Sequence, residues 1–154
     1  MEAGTERMLS LVVMLSMLVI GCAGVRPANL GIKDGKLAPC PSSPNCVSSQ
    51  GSDREHAVEP LSFLGTVSGA HAALRQIILS MKRSQIIIET DSYIHAEFTS
   101  AIFRFVDDVE FWFDENEKVI HVRSASRVGN SDLGVNRKRV EEIRARWTTS
   151  GRGT

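Results

Sequence analysis

Several of the signals that usually reveal a chemical activity are missing from this chain of 154 residues. It has no GxxxxGK[ST] phosphate loop, no GxGxxG dinucleotide motif and no GxSxG nucleophile motif. Its four histidines are scattered, without the spacing of a metal-ligand pair. Its 18 basic residues only balance its 18 acidic ones, whereas a nucleic-acid binder needs a basic excess. We therefore predict no cofactor, no metal site and no nucleic-acid partner, and the motifs assign no catalytic residue.

The overall composition is that of an ordinary globular protein. Apolar residues make up 42% of the chain and charged residues 23%, although aromatic residues reach only 6%. A length of 154 residues supports one domain with a real core and is too short for two full domains. A disordered or fibrous chain is excluded because the apolar content is sufficient to form that core.

The N-terminal region has the pattern of an export signal. Residues 8–20 are apolar except for two serines, a run too short to cross a bilayer but typical of a signal peptide. The following sequence, Gly21-Cys22-Ala23, resembles the end of a bacterial lipobox, in which the cysteine is diacylated and becomes the first residue. We predict a signal peptide over 1–21, lipid attachment at Cys22 and a cell-envelope location, on the periplasmic face of the outer membrane in a Gram-negative host. A plain secretory signal or an uncleaved anchor remains the alternative, because residues 1–7 carry no net positive charge.

The two remaining cysteines, Cys40 and Cys46, fit an oxidising compartment. They lie in a proline-rich segment after residues 22–38, which are polar and glycine-rich and are predicted to form a tether. An even number of cysteines in an exported protein favours a disulfide. Free thiols, a metal site or a reactive Cys46 are the alternatives.

Hydrophobic periodicity predicts the folded part. A helix over 69–82 with Ser68 as N-cap precedes four strands, and a second helix over 137–147 begins after Asn136. The predicted strands cover residues 85–90, 93–100, 102–113 and 118–126. The fold class is therefore two-layer α+β, an antiparallel four-stranded meander flanked by one helix before it and one after it. We place this domain at 39–147 and expect a disordered tail over 148–154.

The last hairpin of this meander predicts a polar pocket. With a four-residue loop over 114–117, Asp107 lies on the apolar face of the sheet opposite Ser124, and Ser126 shares that face. An acidic group on an apolar face needs a partner, and an arginine from the C-terminal segment could supply it. The alternatives are a closed structural network and a β-bulge that turns Asp107 outward.

The densest polar stretch, residues 123–139, ends at the predicted start of the second helix. Arginines beside a helix N-terminus suit a carboxylate or phosphate group, unless neighbouring aspartates neutralise them. The resulting ligand-binding candidates are Asp107, Asp108, Arg123, Ser124, Ser126, Arg127, Asp132, Asn136 and Arg137.

Three segments carry a family resemblance. They are Leu-Ala-Pro-Cys-Pro-Ser-Ser-Pro-Asn-Cys-Val-Ser-Ser-Gln at 37–50, Phe-Val-Asp-Asp-Val-Glu at 105–110, and Arg-Ser-Ala-Ser-Arg-Val-Gly at 123–129 with Ser-Asp-Leu-Gly-Val-Asn-Arg at 131–137. In this order they resemble the DUF1499 family, over about 37–147. The resemblance implies an exported or membrane-associated bacterial protein of unknown function and supplies no catalytic residue.

Two functional hypotheses follow. The first is a non-enzymatic envelope lipoprotein, attached to the membrane by its lipid, that binds a small anionic ligand, a lipid head group or an envelope protein through the surface of residues 123–139. The second is a hydrolase in which Asp107 or Asp108 acts as general base for Ser124 or Ser126.

Overall fold

The computed structural model describes residues 23–150, so the predicted signal peptide, Cys22 and residues 151–154 lie outside the described part. Within that part no helix is long and apolar enough to span a bilayer. The elements, in chain order, are β1 (Cys46–Ser48), β2 (Leu61–Ser62), α1 (Val67–Ser80), β3 (Ser84–Thr90), β4 (Tyr93–Thr99), β5 (Val106–Asp114), β6 (Val119–Ser126) and α2 (Val135–Thr149).

The strands form one antiparallel sheet of six rather than the predicted four. The order is β1-β6-β5-β4-β3, and β2 pairs with β6 beyond the end of β1. The predicted meander is therefore confirmed as β3 to β6, with one helix before it and one after it. The two added strands have three and two residues, too short to show an alternating pattern in a segment rich in proline and serine.

The hydrophobic core lies between the two helices and one face of the sheet, which we call the helix face. α1 contributes Leu74 and Ile78, and α2 contributes Ile143 and Trp147. α1 begins two residues before the predicted start because Thr66, not Ser68, caps it, accepting a hydrogen bond from the Gly69 amide. α2 likewise extends from 135 to 149, beyond the predicted range at both ends.

The hairpin between β5 and β6 differs from the predicted register by two residues. Its loop covers 115–118 instead of 114–117, so that Asp107 pairs with Ser126, and Ser124 pairs with Val109. Moving a four-residue loop by one position changes the register by two and leaves every side chain on its predicted face. Asp107, Ser124 and Ser126 therefore share the helix face, as the sequence predicted.

β5 begins at Val106, four residues later than predicted. Residues 100–105 form instead a turn closed by two hydrogen bonds, from the Ser100 amide to the Phe105 carbonyl at 2.8 Å and from the Phe105 amide to the Ser100 hydroxyl at 2.9 Å. Arg104 adopts a positive φ of 58° within it. The apolar residues of this turn are exposed and take no part in the core.

The opposite face of the sheet, the second face, carries charged side chains and is covered by residues 26–37. Arg26 donates to Glu97, and the Gly31 amide donates to Glu110 at 2.7 Å. The segment predicted as a tether therefore packs on the sheet, since buried carboxylates require donors that it supplies. A disulfide joins Cys40 to Cys46 beside this cover, in agreement with the predicted pairing.

One end of the sheet gathers several chain segments, and we call it the proximal end. β4 ends there, β5 begins there and β6 ends there, as shown by the pairs Thr99 with Val106 and Asp107 with Ser126. The described chain also starts there, because a Cβ on Gly24 would lie 2.9 Å from the Cβ of Arg127. The turn over 100–105, the C-terminus of α1 and the N-terminus of α2 complete this end of the molecule.

Candidate functional site

Asp107 lies on the helix face and is held by an arginine from α2. Its carboxylate accepts a hydrogen bond of 2.5 Å from Nη2 of Arg139, and each side chain is only 10% exposed. The same guanidinium lies over the ring of Phe98, 4.9 Å from its centroid. The expected arginine partner is therefore Arg139, one of the basic residues of the C-terminal segment.

Two serines and an asparagine extend this pair into a network. Ser124 donates to Oδ1 of Asn136 at 2.6 Å and accepts from Nη1 of Arg139 at 3.0 Å. Asn136 donates to the hydroxyl of Ser126 at 2.9 Å and to the Asn45 carbonyl at 3.0 Å. Asn136 is fully buried within the helix and does not cap it, because its side chain connects α2 to β6 and to the residue before β1. Four of the predicted site residues thus come together, namely Asp107, Ser124, Ser126 and Asn136.

Neither serine hydroxyl is hydrogen-bonded to a carboxylate in residues 23–150, although Asp107 lies opposite Ser126, and this bears on the hydrolase hypothesis. A serine nucleophile needs a base within hydrogen-bond distance and access to a substrate. The Ser124 hydroxyl donates to an amide oxygen, and its side chain is fully buried. Asp108 lies on the opposite face of the sheet from both serines. No feature of this geometry favours hydrolysis.

A cavity of about 500 Å³ opens beside Asp107 and Arg139, between the C-terminus of α1 and the first turns of α2. We call it the inter-helix cavity. Its ionisable lining side chains are Lys82, Arg83, Asp107, Lys138, Arg139, Glu142 and Arg146, and Phe98, Thr99, Ser100 and Val135 also contribute. Five of these side chains are basic and two acidic, which leaves an excess of three positive charges.

The two acidic groups of the inter-helix cavity are already paired. Asp107 binds Arg139, and Glu142 binds Arg146 at 2.7 Å. The other three basic groups have no carboxylate within 4.0 Å in the described part of the chain; they are Lys82, Arg83 and Lys138. Lys82, Arg83 and Lys138 are exposed at the cavity wall, so the cavity keeps an excess of positive charge that an anion can reach.

Two of the predicted arginine candidates, Arg123 and Arg127, lie on the second face, where their charges are compensated. Arg127 donates from Nε to Asp108 at 2.8 Å and also binds Glu97. Arg123 donates to Glu110 at 3.2 Å. Glu110 and Asp108 are almost completely buried, so these are interior ion pairs. Asp107 and Asp108 are adjacent in sequence but belong to different clusters, separated by the sheet.

The pKa values on the second face follow from this pairing. Burial raises the pKa of Asp108, but hydrogen bonds from Arg127 and His95 outweigh it and hold the net value below 3.8. Glu97 behaves in the same way, with Arg127 and Arg26 lowering its pKa below 4.5. Hydrogen bonding to Asp108 raises the pKa of Arg127 further above its usual range. These carboxylates are therefore charged at neutral pH despite their burial.

The second face also brings together a possible set of metal ligands that the sequence did not indicate. His95, Glu97 and Asp108 each present a ligand atom, and the three atoms lie within 4.8 Å of one another. Nη2 of Arg127 contacts both carboxylates of this set. A guanidinium therefore supplies the positive charge that a metal ion would bring, and the donor set does not favour a metal.

The last two predicted candidates stabilise the chain around α2. Asp132 accepts from the amides of Gly134 and Asn136 at 2.9 and 2.7 Å, so its carboxylate occupies the helix N-terminus that an anion was expected to use. Arg137 donates to the carbonyls of Ala57 and Glu55, both at 2.8 Å. The predicted anion site at the helix N-terminus is thus filled by a side chain of the protein.

Sequence reasoning missed the residues that make the inter-helix cavity basic. Lys82 and Arg83 follow α1, about fifty residues before α2, and no local pattern connects them with Lys138. His95 and Glu97 could have been found, because their alternation with Ile94 and Ala96 placed them on the polar face of β4. The predicted meander pairs β4 with β5, but the register that sets His95 opposite Glu110 was not predicted.

Comparison with known proteins identifies a family. The family model described as "Protein of unknown function (DUF1499)" matches residues 36–146, most of the chain. This match confirms the resemblance seen in the three sequence segments. No curated protein and no solved structure matches the chain.

Proposed function

The chain belongs to the DUF1499 family of proteins of unknown function, and from this premise we propose that it is a lipid-anchored cell-envelope protein whose domain binds a small anionic ligand. The ligand, a phosphate or carboxylate compound, occupies the inter-helix cavity. The lipid is carried by Cys22 and holds the protein in the membrane, on the periplasmic face of the outer membrane in a Gram-negative host.

One observation carries the binding proposal: three basic side chains without a carboxylate partner surround a cavity of about 500 Å³. Buried basic groups are normally paired, as Arg123 and Arg127 are on the second face. The uncompensated charge of Lys82, Arg83 and Lys138 instead fits an anion that brings the missing negative charge. Arg83 also donates to the Thr99 carbonyl at 3.0 Å, which keeps its guanidinium at the cavity wall.

The envelope location is supported by cysteine chemistry. The disulfide between Cys40 and Cys46 suits a compartment outside the reducing cytosol. The lipobox-like sequence ends at Cys22, immediately before the described part of the chain. Mass spectrometry of the protein extracted gently from its own membrane fraction tests the anchor. A mass for a chain beginning at diacylated Cys22, two hydrogens light, is expected, and an intact Met1 with free thiols contradicts it.

Calorimetric titration of the full chain with inorganic phosphate, and separately with citrate, tests the cavity. Lys138→Gln is expected to weaken binding about tenfold, because a charge-assisted hydrogen bond contributes roughly 1.5–3 kcal/mol. Arg54→Gln is the matched control, since Arg54 is exposed and lies outside the cavity. Equal affinity in the two variants, or no binding of either anion, contradicts the proposed site.

A further inference from the structure

We infer that the proximal end of the domain is a membrane-docking surface, on which the turn over residues 100–105 inserts into a bilayer containing anionic lipids. This inference rests on the membrane attachment proposed above; it shares Lys82 and Arg83 with the inter-helix cavity but requires no anion bound there. It assigns the lipid bilayer a second contact with the protein, made by the folded domain itself.

Three large apolar side chains are exposed in one short turn, residues 100–105. Ile102 is 80% exposed, Phe103 65% and Phe105 40%. Phe103 and Phe105 stack on each other with their centroids 5.5 Å apart, so together they present one apolar surface. Scattered single apolar residues are normal on a protein surface, but a contiguous group marks a contact surface.

The fold fixes the position of this turn. The two hydrogen bonds between Ser100 and Phe105 close the turn, and β5 begins directly after it. The apolar side chains are thus fixed on a hydrogen-bonded turn at the proximal end of the sheet. Such a rigid apolar projection can enter the interfacial region of a bilayer at little cost in conformational entropy.

The position at which the described chain begins points to a membrane as the partner of this surface. The described chain begins at this same end, because Gly24 lies against Arg127 and Val128 and Arg26 binds Glu97 near the end of β4. Either membrane-anchor interpretation of the N-terminal sequence, lipid on Cys22 or an uncleaved apolar segment, places the membrane attachment just before residue 23. An anchor on this side brings the apolar turn to the bilayer surface.

The charge around this turn is positive. Arg104 lies within the turn and has no carboxylate within 4.0 Å in residues 23–150, and Lys82 and Arg83 stand close by, where the inter-helix cavity reaches Ser100. Basic side chains around an apolar tip are the arrangement that anionic lipid headgroups attract. A protein partner would need carboxylates at these positions, and a second copy of this chain would bring the same positive charges against them.

The test uses the full chain, with whatever anchor it carries, in vesicles of phosphatidylethanolamine and phosphatidylglycerol. Phe103→Cys provides a thiol for an environment-sensitive fluorophore, because the other described cysteines form the disulfide. The unsubstituted chain, labelled in the same way, gives the background from Cys22. Asn116→Cys is the matched control, exposed in the β5–β6 loop at the opposite end of the sheet.

We expect blue-shifted emission at Phe103→Cys and quenching by brominated lipids several-fold stronger than at Asn116→Cys. Equal, solvent-like emission at the two positions overturns the docking surface. A blue shift at Phe103→Cys that is present without vesicles and rises with protein concentration also overturns it, because a second copy would then be the occupant.

This result is independent of the anion cavity. Insertion at Phe103→Cys in a protein that binds no phosphate would contradict the cavity and support docking. If Lys138→Gln weakens phosphate binding while the emission at Phe103→Cys is solvent-like, the result would support the cavity and contradict docking. Insertion that persists in Lys138→Gln shows that the bilayer contact does not depend on an anion in the cavity.

Discussion

Asp107 and Asp108 are neighbours in β5, yet the sheet separates them into two different charge environments. On the second face, Asp108 shares Arg127 with Glu97, and Glu110 binds Arg123, under the cover of residues 26–37. On the helix face, Asp107 binds Arg139 at the edge of a cavity that keeps three further basic groups unpaired.

The difference separates charges that stabilise the fold from charges available for binding. In a buried cluster whose charges balance, no net charge remains to attract a ligand, and removing one member destabilises the fold. An unbalanced cluster at a cavity wall adds less to stability but can attract an anion. Each prediction below changes one side of this comparison while the other side acts as reference.

Removal of Asp108 should have the largest effect. Asp108→Ala leaves Arg127 with one carboxylate fewer and His95 without its partner, in an interior where both are buried. We expect a loss of roughly 4 kcal/mol in the free energy of unfolding, measured by urea denaturation. Asp91→Ala, at an exposed turn, is the matched control and should change stability by no more than about 0.5 kcal/mol. A loss as small as that of the control would show that the second face is not a stabilising cluster.

Asp107→Ala should cost less, roughly 2–3 kcal/mol, because Arg139 retains its bonds to Ser124 and Asn136 and lies at a cavity wall. The same substitution removes a negative charge from the inter-helix cavity, so phosphate should bind more tightly to this variant than to the parent protein. Urea denaturation and calorimetric titration measure the two effects. Reduced phosphate affinity in a fully stable variant would instead make Asp107 a ligand-contacting group.

The disulfide closes the loop of residues 40–46, beside the cover of the second face. Replacing both cysteines, Cys40→Ser with Cys46→Ser, should lower the free energy of unfolding by roughly 2 kcal/mol, the chain-entropy value for a short loop. The three prolines at 39, 41 and 44 restrict the unfolded chain and reduce the loss. Thermal unfolding with and without reductant measures it. A parent protein whose melting temperature is indifferent to reductant would contradict this role.

Lowering the pH should have the smallest effect on the stability that the second face contributes. The pKa values of Asp108 and Glu97 in the folded protein lie below 3.8 and 4.5, so the stability that their pairing contributes is present above these values. That stability is lost as the pH falls through the lower, folded-state pKa values. We expect unfolding free energy to decline by about 1 kcal/mol per pH unit below pH 4. Asp108→Ala should show a shallower decline, whereas Asp91→Ala should follow the parent protein.

Local pattern predicted the elements and the faces of this fold. The apolar spacing of residues 69–82 indicated α1, and alternation in β5 assigned Asp107 to the helix face even though the predicted register was wrong by two. Side chains in a strand alternate between the two faces, so a register error of two residues leaves each side chain on the same face of the sheet. The candidate residues on the helix face therefore still come together.

Long-range packing determined what the sequence pattern could not. β1 and β2 exist only because β6 offers them an edge, and their few residues carry no signal of their own. The predicted tether became a cover because Glu97 and Glu110 accept hydrogen bonds from it. Lys82, Arg83 and Lys138 meet only after the C-terminus of α1 and the start of α2 have packed at the same end of the sheet.

The contact between Arg26 and Glu97 also limits how far the domain can travel. Only three residues lie between Cys22 and Arg26, and the four residue-to-residue steps from one to the other span about 14 Å when fully extended. Under the proposed anchoring through Cys22, the part of the domain that holds Arg26 stays within about 14 Å of the bilayer. Under that same proposal, whatever the domain binds has to come to the membrane surface.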